Sequence, residues 1–153
     1  MTSPAPVGIL WGGLTAGVLD GLDALVFFSL VMGAAPGRIF QFIASGLLGP
    51  GAFEGRGSVF LGVICHFIVA FGAATAYYLL SRMMPSLLAH PLLCGPLFGI
   101  AVYVFMHFVV IPLSLVPKRG AATWVGFLNQ LFAHTVLVGL PIALAARRAA
   151  RKP

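Results

Sequence analysis

Apolar residues along the chain fall into four long blocks, and the glycine-proline pairs and most charges lie in the short stretches between them. The blocks cover roughly 7–32, 58–80, 92–116 and 123–146, and each reaches the ~20 residues that a helix needs to cross a bilayer. The pattern predicts an all-α integral membrane protein, a single domain over 1–153 with four transmembrane helices. No basic residue precedes the first block and it outruns a signal h-region, so it reads as the first span.

Between the first two blocks, residues 37–48 read as a short helix, flanked by Pro36-Gly37 and by the glycine-rich run 49–57. At helical spacing Arg38, Gln41 and Ser45 share one stripe, and Ile39, Phe40, Phe42, Ile43, Leu47 and Leu48 cover the rest. The segment is too short to span. It is expected to lie on the bilayer as an interfacial helix, with a re-entrant loop as the alternative.

Within the first span, Gly13, Ala16, Gly17, Asp20, Gly21, Asp23 and Ala24 share a face, and Trp11, Leu14, Val18, Leu22 and Leu25 take the opposite one. Small residues every four positions allow close helix approach, so Gly13, Gly17 and Gly21 are expected to meet another helix. The partner is the small stripe of the second span (Gly62, His66, Ala70, Ala73 and Tyr77), or else a second copy of the chain or another membrane protein. Pro112 and Pro141 lie inside the third and fourth spans, where each removes a backbone hydrogen bond and favours a kink.

Composition sharpens this picture. Hydrophobic residues make up 60% and charged residues 8%, against about 25% charged in soluble domains, so the main partner is the lipid bilayer. The net charge of +6 comes from Lys and Arg at helix ends and loops, where phospholipid headgroups are available, which argues against nucleic acid. The side shared by both termini carries Arg82, Arg147, Arg148, Arg151 and Lys152, and the other carries Arg38, Arg56, Lys118 and Arg119. The positive-inside rule then expects cytoplasmic termini. Trp11 and Trp124, toward span ends, read as interfacial anchors. Glu54, Arg56 and His90 fall in loops and read as solvated. Cys65 and Cys94 lie roughly 20 Å apart in depth, too far for a disulfide.

The candidate chemistry is concentrated in mid-membrane. Two of the three acidic residues, Asp20 and Asp23, sit near the middle of the first span and project to one side. A carboxylate there costs roughly 2.5–3.5 kcal/mol on insertion scales and marks function by default. The remaining spans contribute His66, His107 and His134, one each. Counted from span midpoints, all five groups fall within about 5 Å of one level. Tyr103 lies one turn from His107 and Gln130 one turn from His134; with Tyr77 on the His66 stripe, these are candidate supporting partners.

No Lys or Arg reaches that depth, so the carboxylates need protons, an imidazolium or a bound cation. The first two make a layer that takes up and releases protons. The third makes Asp20, Asp23, His66, His107 and His134 candidate ligands of a transition metal, and two of the histidines could instead hold a b-type haem. A structural role, with the five groups only locking the helices together, is a further alternative. No nucleophile elbow or phosphate-binding glycine loop is present, so an enzyme is not expected.

Several motifs of the second half occur together: His66 with Tyr77-Tyr78 and Met84-Pro85, Gly95 to Gly99, Met106-His107 with Ile111-Pro112-Leu113 and Pro117, Phe132-Ala133-His134, and Arg147-Arg148. In these the chain resembles the YagU-like family of small bacterial inner-membrane proteins, associated with acid resistance. The first half is similar to other bacterial four-helix membrane proteins through Ala16-Gly17-Val18-Leu19-Asp20 and the run from Gln41 to Gly49. The resemblance implies a multi-pass protein of the bacterial inner membrane and a link to acid response.

Overall fold

The computed structural model describes residues 4–117 and 123–151. Lys118, Arg119 and Lys152, counted above for topology, lie outside the described residues. The chain is all-helical, with four helices long and apolar enough to cross a membrane: Pro6–Leu30, Gly57–Met83, Pro91–Leu113 and Trp124–Ala150. They agree with the four apolar blocks to within a turn. In chain order the elements are α1 (Pro4–Leu30), α2 (Pro36–Leu48), a 3-10 turn (Gly49–Phe53), α3 (Gly57–Met83), a short α4 (Ser86–Ala89), α5 (Pro91–Leu113) and α6 (Trp124–Ala150).

Local chemistry sets the ends. Pro36 opens α2 with its fixed φ, after an extended Ala35. Gly49, at φ 61°, stops α2 in a conformation that L side chains rarely adopt. The Thr123 hydroxyl accepts the Gly126 amide at 3.1 Å and caps α6.

Alternate helices run in opposite directions, so α2 and the ends of α1 and α5 share one side, the α2 side, and the chain termini share the other. α1 and α6 form a central antiparallel pair, with α3 packed on α1 and α5 on α6. Phe98 of α5 meets Tyr77 of α3 edge-on, at 5.0 Å between ring centroids. The core, Ala16, Ala74, Tyr77, Val138, Ile142, Ala143 and Ala146, is mostly small and lies in the terminus-side half. Small side chains let membrane helices gain dispersion contacts that lipid tails would otherwise supply equally well. The large apolar residues instead face outward: Trp11, Val18 and Leu22 of α1 are exposed, as the two-faced pattern of the first span requires.

A very close helix crossing joins α5 to α6. A Cβ on Gly99 would overlap the His134 carbonyl, and one on Gly139 would overlap the Gly95 carbonyl. The prolines act through the same region. Each of Pro112 and Pro141 is preceded by a π-helical turn, Met106–Val110 and Ala133–Gly139. A proline ring clashes with the carbonyl four residues earlier and donates no hydrogen bond, and a wider turn absorbs both effects.

The short helix is tied down on both sides. Phe40 crosses over Gly62, where a Cβ would overlap the Phe40 carbonyl, and the Leu115 amide donates to the Gly46 carbonyl at 3.0 Å. Its polar stripe turns toward the following loop: Gln41 donates to the Gly55 carbonyl at 3.1 Å, and the Arg38 guanidinium lies 5.3 Å from the Phe53 ring centroid. Ser45, the third member of that stripe, is buried and donates to the Phe42 carbonyl.

Candidate functional site

The glycine stripe of α1 is filled from within the chain. Cβ atoms at Gly13 and Gly17 would strike the rings of Phe71 and Phe67, and one at Gly21 would lie 3.3 Å from His66 Nε2. Of the partners expected for the Gly13, Gly17 and Gly21 face, the second span is the one seen packed on it, as α3. The absent side chains also let an imidazole reach the α1 backbone, and His66 Nε2 lies 2.8 Å from the Gly17 carbonyl oxygen.

That contact determines the tautomer. A carbonyl only accepts, so Nε2 carries the hydrogen, and in the neutral ring Nδ1 is a bare lone pair. Nδ1 faces Asp20 Oδ2 at 3.9 Å, with the two side chains 12% and 24% exposed. A lone pair opposite a carboxylate is repulsive, and a proton on either group turns the repulsion into attraction. At 3.9 Å the two stand beyond direct hydrogen-bond reach, leaving room for a small approach or a bridging water.

His134 repeats the arrangement on α6. Its Nδ1 donates to the Gln130 carbonyl at 2.8 Å, which leaves Nε2 bare in the neutral ring. Asp20 interacts electrostatically with His134, with His66 and with Asp23. Asp20 thus lies in the electrostatic field of both imidazoles, with His66 facing it at 3.9 Å. Counted along their helices, Asp20, His66 and His134 each lie about 15 Å from the ends on the α2 side. The common depth expected for these three from the sequence holds.

Asp23 is partnered by a residue that the sequence reading missed. Asn129 Nδ2 donates to Asp23 Oδ2 at 2.8 Å. An α-helical projection of the fourth span selects Gln130 as the partner of His134. The π-helical turn beginning at Ala133 breaks that periodicity, and Gln130 contributes its main-chain carbonyl. The available signal was an Asn in the second turn of an apolar span, where an amide rarely lacks a partner.

Two other candidates stand apart from this group. His107 is exposed on the bundle surface. It reaches the layer only through Tyr103, whose ring centroid lies 5.0 Å from His107 and 5.4 Å from His134. Tyr77 is fully buried in the terminus-side core and donates to the Leu87 carbonyl at 2.8 Å, so it ties α3 to the segment before α5. Sharing a stripe with His66 does not bring it to the layer, because about 16 Å of helix separates them.

Among the described residues, no three His, Cys, Asp or Glu side chains converge into a set able to hold a metal ion. The transition-metal reading finds no donor set. The haem reading is left with the three histidines, of which His107 stands beyond Tyr103 from the rest. Cys65 and Cys94 are free thiols. No protein-family model, no curated protein and no solved structure matches this chain.

Proposed function

We propose that this is a proton-linked membrane protein in which Asp20 and His66 share one exchangeable proton, with His134 as the second imidazole on the same carboxylate. One observation carries the reading: the Gly17 carbonyl holds His66 in the tautomer that turns a bare Nδ1 toward Asp20. The pair is repulsive without a proton and attractive with one, so its geometry responds to protonation.

The surroundings favour a response to pH over transport. Between the layer and the terminus side stands the packed core of Ala16, Ala74, Tyr77, Val138, Ile142 and Ala143, whose one polar side-chain group, the Tyr77 hydroxyl, is committed to the Leu87 carbonyl. Toward the outer side the polar residues continue, through Asn129 and Asp23 and through Tyr103 and His107. The protein would sample the outer side from a bacterial inner membrane, with both termini in the cytoplasm as the basic residues suggest. The YagU-like motifs, with their association with acid resistance, fit this reading.

The test is infrared titration of the protein in lipid vesicles, following the carboxyl C=O stretch as pH is lowered. The wild-type chain should show a carboxyl band that grows with acid; Asp20→Asn should remove it. His66→Gln keeps a donor for the Gly17 carbonyl and should move the band's midpoint. A band unchanged in both variants, with helix content intact, sinks the proposal.

A further inference from the structure

The seam between α1 and α6 on the terminus side opens into a groove of about 440 Å³. Trp11, Thr15 and Leu19 line it from α1, and Leu140, Leu144 and Arg148 from α6. The Thr15 hydroxyl donates back to the Trp11 carbonyl at 2.6 Å, which leaves the wall apolar. From Val7 to Leu19 the groove follows about 18 Å of helix, close to half of the ~30 Å hydrocarbon core. It is therefore the depth of one leaflet, with Arg148 at its mouth.

Charge indicates what occupies it. The chain has three acidic residues: Asp20 and Asp23 in mid-membrane, and Glu54 in the loop on the opposite side. Arg82, Arg147, Arg148 and Arg151 thus share a side with no acidic side chain, and among the described residues no arginine pairs with a carboxylate. A guanidinium at the mouth of an apolar, leaflet-deep groove matches an anion joined to a long hydrocarbon chain. Arginine also presents the planar donor fork suited to phosphate.

We infer that this groove is a binding site for one anionic phospholipid, with an acyl chain between Trp11 and Leu144 and the headgroup phosphate on Arg148. Proline helps to shape it. Pro141, just past the π-helical turn of α6, lines its deep end, while the Gly12 to Ala145 contact, 3.5 Å from a Cβ built on Gly12, holds the helices together beneath it.

Tryptophan quenching reads this out directly. Trp124→Phe leaves Trp11 as the single tryptophan, and the change lies at the other end of α6 from the groove mouth. In phosphatidylcholine vesicles, brominated phosphatidylglycerol should quench Trp11 with about fivefold higher relative affinity than brominated phosphatidylcholine, the equivalent of the ~1 kcal/mol that a basic side chain supplies near an anionic lipid surface. Arg148→Gln should abolish the preference, Arg148→Lys should retain most of it, and Arg82→Gln, on the same side outside the groove, should leave it unchanged. Equal quenching by the two lipids overturns the inference. So does equal loss in Arg82→Gln and Arg148→Gln, which would indicate diffuse surface charge, and so does full competition by inorganic phosphate, which would indicate a free anion. None of these outcomes depends on whether Asp20 titrates.

Discussion

Replacing Gly99 by alanine adds one methyl group at the close crossing of α5 and α6. The new Cβ would overlap the His134 carbonyl and lie 2.8 Å from the Thr135 Cα. Carbon atoms pack at about 3.5–4.0 Å, so α5 and α6 must move apart by about 1 Å. No rotamer change relieves this, because the opposing atoms are backbone. Overpacking of this kind costs ~1–3 kcal/mol, which lowers the folding equilibrium constant roughly 5- to 150-fold. Gly72→Ala is the matched control: a Cβ there meets nothing within 4 Å, and a helical Gly→Ala change should stabilise by roughly 0.5–1 kcal/mol. Reversible denaturation in mixed micelles, followed by circular dichroism, separates the two. Because the contact is with the π-helical turn that carries His134, Gly99→Ala should also shift the infrared carboxyl titration, and Gly72→Ala should not. A Gly99→Ala protein as stable as Gly72→Ala would show that the crossing is looser than described and refute the packing argument.

Two further outcomes follow from individual hydrogen bonds. Asn129→Leu deprives Asp23 of its amide donor and should cost ~1–3 kcal/mol, the price of a polar group left without its partner, in the same denaturation assay. Asn129→Gln, a longer amide, should recover only part of it. Tyr77→Phe removes the bond to the Leu87 carbonyl and should lose ~0.5–1.5 kcal/mol of stability with the carboxyl titration unmoved; a shifted titration would return Tyr77 to the site.

The spans, the lipid-facing side of α1 and the existence of a polar layer were legible in the sequence because each depends on one coordinate. Bilayer thickness sets how many apolar residues a helix needs, and depth along a helix follows from counting, so Asp20, His66 and His134 could be placed at one level without a fold. What surrounds each group depends on azimuth and on distances between helices, and neither accumulates simply along a chain. How α6 is rotated against α1 decides that Asn129 supplies a side-chain partner, to Asp23, while Gln130 offers its main-chain carbonyl to His134. Similarly, the glycines of α1 announced a close approach, but only the packing of α3 shows that it admits Phe67, Phe71 and the His66 ring. His107 and Tyr77 carried the same sequence signal as their neighbours, yet one is exposed beyond Tyr103 and the other locks the terminus-side core. Local hydropathy and helix geometry therefore determined the four spans and the depth of the polar layer. The assignment of Asp20 to His66, with the tautomer held by the Gly17 carbonyl, was decided by tertiary structure, because it needs two helices to meet at a missing side chain.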